Sequence, residues 1–172
     1  MSDVRLSILK IIAMLLVLLA FVLFISSLFE PVFITEDHVI KGYWVLAMGW
    51  MGFAIFQFAW YANLLSLLAI LLMTKRATTA FVLSLLALLL SAESFLFDEI
   101  PVASGNKNVA IIDNDIGLYL WIGAHCAVLY AVILMLIRKK MIEHGKLSQH
   151  HFKKIEITKI ETDISSVNKK AE

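Results

Sequence analysis

Four side chains carry hydrogen-bonding or titratable chemistry inside stretches that are otherwise apolar: Gln57, Asn63, Glu93 and His125. Polar groups placed in a hydrocarbon span are costly, and they mark ligand sites, ion paths or proton relays. Asn63 closes the cluster FAWYAN. In a helix it lies about 15 Å from the end of its apolar run, near mid-bilayer. An amide there either faces a ligand or ion, or makes an interhelical hydrogen bond worth about 0.6 kcal/mol and at most about 1.7 kcal/mol. Glu93 stands one turn before Phe97 at the outer end of another run. Two readings compete for it: a proton-carrying or cation-binding acid, and an interfacial acid beside Asp98 and Glu99.

His125 precedes Cys126. A His–Cys neighbour pair invites a metal, but adjacent residues on a helix point about 100° apart. No second histidine lies in any apolar run, so one chain cannot supply the two axial histidines of a bis-histidine haem. The simpler reading of His125 is a hydrogen bond to Asn63 or Glu93, with Cys126 a small buried apolar residue. Gln57, Glu93 and His125 share the outer half of three different runs, so they can converge on one polar cluster. His144, His150 and His151 sit in a polar tail, where solvated histidines are the simplest reading. No nucleophile elbow, zinc-protease motif, phosphate loop or dinucleotide loop is present. No catalytic residue, metal ligand set or cofactor is therefore assigned, and an enzyme is the less favoured class.

The elements that must position these residues are membrane helices. The chain has 172 residues, is 60% hydrophobic and only 17% charged, with a mean hydropathy of +0.85. A soluble domain is nearer half apolar and a quarter charged. Residues 42–73 contain no Asp, Glu, Lys, Arg or His. As one helix they would extend about 48 Å, against about 30 Å of hydrocarbon. The surplus must tilt, kink or protrude, with Gly42, Gly49 and Gly52 as bends and Tyr43, Trp44 and Trp50 at the interface. The expected fold is an all-α membrane protein, a bundle of four transmembrane helices with a short polar C-terminal tail. Residues 1–140 form the transmembrane domain, with helices at about 11–29, 43–73, 80–97 and 116–137. A basic start before an apolar middle also fits a signal peptide, but no small-residue cleavage site follows, and a retained first helix is preferred.

Pro31 ends the first helix, and residues 30–41 form an acidic loop. Residues 74–79 make a basic turn. Residues 98–115 form a second acidic loop whose VAII reads as a short strand or a membrane contact. Residues 141–172 are charge-mixed and read as mostly disordered, or ordered only on a partner.

Lysine and arginine bias sets the orientation. Arg5, Lys10, Lys75, Arg76 and Arg138–Lys140 fall on one side, and Lys41 and Lys107 on the other beside seven acids: Glu30, Glu36, Asp37, Asp98, Glu99, Asp113 and Asp115. Both termini are expected in the cytoplasm of a cell with a bacterial inner membrane. Net charge is +1, which gives no reason to expect nucleic acid. A single cysteine excludes an intramolecular disulfide.

Helices associate in lipid through small residues and polar contacts. Ala59, Ala62 and Ser66, then Ser84, Ala87 and Ser91, then Gly123 and Ala127 recur at helical spacing and form three such faces. The first helix has only Ala13 and Ala20, and belongs at the bundle edge. FAWYAN and GLYLW resemble pieces of small four-helix bacterial inner-membrane proteins. They cover little of the chain and bring no residue roles.

Three functions fit. The first is an accessory or interaction protein (a subunit, regulator or immunity-type protein) that meets a membrane-protein partner or a second copy in the bilayer. The second is an oligomeric transporter or channel with a polar site near Glu93, Asn63 and His125. The third is a membrane enzyme or cofactor binder acting on a lipid-like molecule.

Overall fold

Proline stops the first helix and starts a strand. In the computed structural model, which describes residues 2–36, 38–101 and 108–171, α1 (Ser2–Phe29) gives way at Glu30 to β1 (Pro31–Thr35). Proline is tolerated as the first residue of a strand, where no ladder donor is required of it. The helix begins at Ser2 rather than near residue 11, so Arg5 and Lys10 extend it beyond its apolar part.

The chain divides into two compact units, Met1–Leu136 and Ile137–Glu172. The first holds β2 (Val39–Lys41), α2 (Gly42–Met48), α3 (Ala62–Leu72), α4 (Ala77–Ala92), β3 (Glu99–Pro101), β4 (Asn108–Asn114) and the start of α5 (Ile116–Ala171). It also holds 3₁₀ segments at Gly49–Ile55, Ala59–Tyr61 and Glu93–Leu96.

The expectation of four full spans is met in part. Three helices are long and apolar enough to cross a membrane: Val4–Phe29, Ala77–Leu96 and Ile116–Gly145. The fourth apolar helix, Ala59–Leu72, is shorter. At about 1.5 Å per residue it covers roughly 21 Å, against about 30 Å of hydrocarbon. The run 43–73 breaks into α2, two 3₁₀ segments and α3 because its glycines let the chain fold back. At Gly52 a Cβ would run into the Gln57 carbonyl oxygen. The reversal passes through Phe56 in the left-handed region (φ 58°, ψ 30°), and Gln57 N–H then donates to Gly52 O at 2.9 Å.

The all-α expectation needs correcting. The two acidic loops form antiparallel hairpins, and β1 pairs with β4 to join them into one four-stranded sheet of order β2-β1-β4-β3. Phe33 stands opposite Asn114, and Ile100 opposite Val109. The VAII strand is the middle of β4. Short strands rich in β-branched residues need several partners and a covered face to be stable. Here Val32 and Phe33 of β1 form a buried cluster with Leu118, and Ile100, Ile111, Trp121 and Ile122 pack round them. Asp37 and Lys107, two of the charges used for orientation, lie outside the described residues.

Two glycines lock the corner between α1 and the sheet. A Cβ at Gly42 would meet the Ser27 carbonyl oxygen, and one at Gly117 the Pro31 carbonyl oxygen. α3 and α4 form a hairpin closed by Arg76 N–H donating to Leu72 O at 2.7 Å. Small residues line the helix contacts. Ala13 and Ala20 of α1, Ala69 of α3, Ala80 of α4 and Ala124, Ala127 and Ala131 of α5 belong to one buried cluster. Ser84, Ala87 and Ser91 of α4 are fully buried as well.

In the second unit the backbone is helical to Ala171, where the sequence predicts little regular structure. A helix that extends an existing one avoids the nucleation cost that an isolated segment bears. A Lys139–Glu143 pair at 3.9 Å, one turn apart, adds local support.

Candidate binding chamber

The four polar side chains of the apolar runs fall into two tiers, Gln57 with Glu93 and Asn63 with His125. The upper tier ties irregular backbone down. Both Glu93 carboxylate oxygens accept the Phe58 N–H, at 3.2 and 3.1 Å. Gln57 Nε2 donates to the Glu99 carbonyl at 3.3 Å. Glu93 thus satisfies a backbone N–H that the broken helix leaves without an intrahelical partner, and Gln57 ties the same segment to β3.

The lower tier joins α3 to α5. Trp121 Nε1–H donates to Asn63 Oδ1 at 2.8 Å, and Asn63 Nδ2 donates to the Trp60 carbonyl at 2.9 Å. Trp60 Nε1–H reaches the Leu46 carbonyl at 2.9 Å. One turn further along both helices, Ser66 Oγ and His125 Nδ1 are 2.7 Å apart. The Trp121 and His125 rings meet edge to face with centroids 4.9 Å apart. His125 is 3% exposed, and its Nε2 has no partner among the described residues. The expected bond from His125 to Asn63 or Glu93 goes instead to Ser66, with Trp121 as the link to Asn63. Glu93 stays apart from this tier.

Between the tiers and the sheet lies a partly enclosed chamber of about 640 Å³. That volume falls within the range of small-molecule sites, about 300–1,000 Å³. Trp44, Trp60 and Trp121 form part of its wall with Phe33, Phe97, Val45, Leu118 and Val109, and Gln57 and Asn63 both face it. No Asp, Glu, Lys or Arg lines it among the described residues. Its hydroxyls are turned away. Ser27, Thr35 and Ser94 donate to the carbonyls of Phe24, His38 and Ser91 at 2.7, 2.8 and 2.6 Å. His125 and Glu93 are not part of the lining.

Among the described residues no three His, Cys, Asp or Glu side chains gather as a metal site would need. Cys126 is a free, half-buried thiol. The residues expected to pack helices are turned inward: Ala59, Ala62, Ser66, Ser84, Ala87, Ser91 and Ala127 are buried, and a Cβ on Gly123 would touch Leu23 Cδ1 at 3.6 Å.

The sequence reading passed over Trp60 and Trp121, which hold the lower tier together. The signal was present. Asn63 and Ser66 are three residues apart, and Trp121 and His125 four, so each pair shares one face of its helix. Two faces each carrying one amide or indole and one hydroxyl or imidazole can bond in register. Comparison with protein-family models, with curated proteins and with solved structures finds no match for the chain.

Proposed function

We propose that this chain is a small multi-pass membrane protein of the accessory type, not an enzyme, that holds an uncharged, lipid-like molecule in the chamber beneath its sheet. The observation that carries this reading is the chamber itself: about 640 Å³ walled by tryptophan, phenylalanine and aliphatic side chains, with no Asp, Glu, Lys or Arg in its lining among the described residues and a single, exposed histidine, His38, at its edge. Charged molecules entering it would lose water without gaining a counter-ion, a cost of several kcal/mol. An apolar molecule loses nothing of that kind and gains about 25 cal/mol for each Å² of apolar surface removed from water.

The charge distribution supports an orientation with both ends cytoplasmic and the sheet on the outer side of a bacterial inner membrane. Lys75 and Arg76 lie in the turn between α3 and α4, whereas Glu30, Glu36, Asp98, Glu99, Asp113 and Asp115 gather at the sheet end. A rim of exposed aromatics there (Tyr43, Trp44, Trp50, Phe53, Phe56, Phe95 and Tyr119) suits the level of the lipid headgroups.

We rank an oligomeric transporter or channel second, since Asn63, His125 and Glu93 each make a bond within the chain. Small-residue faces buried inside the chain no longer point to a partner. An accessory protein of this kind leaves the exposed apolar face of α1 to lipid or to a membrane-protein partner.

The test is lipid extraction from protein purified in mild detergent, followed by mass spectrometry. Wild type is expected to carry about one uncharged lipid per chain, enriched over the membrane extract. Val45→Phe, which adds a ring inside the chamber, is expected to lose it. Equal recovery from both proteins would sink the reading.

A further inference from the structure

We propose that the chamber selects a lipid whose uncharged head bears a carbonyl, and that the free amide N–H of Asn63 is the group that receives it. The inference rests on the chamber reading above and goes beyond it in naming the head chemistry and the residue that reads it.

The orientation of the Asn63 amide is settled by its neighbours. An indole N–H is a donor only and a backbone carbonyl an acceptor only. Oδ1 must therefore face Trp121 Nε1, and Nδ2 the Trp60 carbonyl, as the 2.8 and 2.9 Å bonds require. Flipping the amide would set donor against donor and acceptor against acceptor. The NH₂ group has two hydrogens, and the second has no acceptor among the described residues. Asn63 lines the chamber, so it presents a fixed donor at the wall.

Apart from Gln57, the other buried or half-buried donors around the chamber are already used. Trp60 and Trp121 give their N–H groups to Leu46 O and Asn63 Oδ1. Ser27, Thr35 and Ser94 give their hydroxyl hydrogens to backbone carbonyls. Gln57 keeps one amide hydrogen nearer the sheet, where its other hydrogen reaches Glu99 O. A ligand that fits must accept from an N–H, carry no charge and tolerate flat aromatic walls. An uncharged carbonyl does all three. It occurs in isoprenoid quinones and in the esters of a diacylglycerol, and both carry hydrocarbon that the aliphatic wall can cover.

The experiment measures equilibrium binding to the purified full chain in detergent. The probes are a decyl-substituted benzoquinone, dioctanoylglycerol, decylbenzene as the carbonyl-free control, and dioctanoyl phosphatidylglycerol as the anionic one. At least one of the first two is expected to bind about tenfold tighter than both controls. Tighter quinone binding assigns the flat head, and tighter diacylglycerol binding the ester. Asn63→Leu is expected to shrink the carbonyl preference about threefold to tenfold, the worth of one net hydrogen bond. Glu93→Gln, at a residue that does not line the chamber, should keep the preference. The wild-type comparison needs no variant, so a misfolded Asn63→Leu does not rescue the idea. Decylbenzene binding as tightly as the carbonyl probes, or phosphatidylglycerol binding tightest, overturns the inference while leaving an apolar chamber. If no probe binds and Val45→Phe changes nothing, the chamber reading falls with it.

Discussion

Trp121 and Asn63 are joined by an indole N–H donated to an amide oxygen over 2.8 Å, and this bond couples α5 to α3 beneath the chamber. Its loss should be measurable. Trp121→Phe leaves Asn63 Oδ1 without a donor and should cost about 0.5–1.7 kcal/mol. In a double-mutant cycle with Asn63→Leu, the coupling energy should recover most of that value. Thermal unfolding in detergent, followed by circular dichroism, checks it. Strict additivity would mean that the two side chains do not act together.

Ser66 and His125 make the second prediction. Ser66→Ala strips His125 Nδ1 of its hydrogen-bond partner, while Nε2 already has none among the described residues, and should destabilise by about 1–3 kcal/mol. The double variant Ser66→Ala/His125→Leu removes both polar groups and should be more stable than Ser66→Ala alone, since replacing both partners with apolar groups is close to neutral. Denaturation midpoints of the three proteins decide it. A double variant weaker than the single would show that the imidazole supports the fold in another way.

Much of the helical framework was legible in the sequence, because hydropathy and small-residue spacing are local signals. Ala59, Ala62, Ser66, Ser84, Ala87 and Ser91 were identifiable as packing residues and are buried. The sheet was not legible as a sheet. β1 and β4 are far apart in sequence, and no local pattern in PVFIT or NVAIIDN announces their pairing. The break in the run 43–73 was legible only as surplus length, since the left-handed turn falls on Phe56 rather than on a glycine. The chamber had no signature of its own, because an apolar wall and an apolar core have the same composition.

Glycine substitutions should separate sharply by position. Gly42→Ala and Gly117→Ala would drive a methyl into the Ser27 and Pro31 carbonyls and should each cost about 2–3 kcal/mol. Gly145→Ala meets nothing within 4 Å and sits in a helix, so it should be stabilising in helix propensity by about 1 kcal/mol. Melting temperatures of the three variants, compared in one detergent, test the ordering. A tolerated Gly42→Ala would contradict the close approach of α1 and α2.

Phe56 holds a left-handed backbone and is 81% exposed as a residue. Asparagine adopts that conformation more readily, and a β-branched residue hardly at all. Phe56→Asn should be neutral or stabilising by up to about 1 kcal/mol, and Phe56→Ile destabilising. Thermal melts of the pair suffice, and the reverse order would place the strain elsewhere.

Glu93→Gln keeps an oxygen for the Phe58 N–H and should change stability by less than about 1 kcal/mol. It should also leave lipid recovery unchanged, because Glu93 does not line the chamber. Proton flux in liposomes that depends on Glu93 would put the transport reading first.

The central claim is that the chamber holds an uncharged lipid. It is tested most directly by photo-crosslinking purified protein with a tail-labelled diazirine diacylglycerol and mapping the adducts by peptide mass spectrometry. Saturable labelling is expected, concentrated on chamber residues such as Val45, Trp60, Asn63 and Trp121 and lost in Val45→Phe. Labelling spread without saturation over the exposed leucines of α1, such as Leu15, Leu18 and Leu19, with none at Trp60 or Trp121, would contradict it.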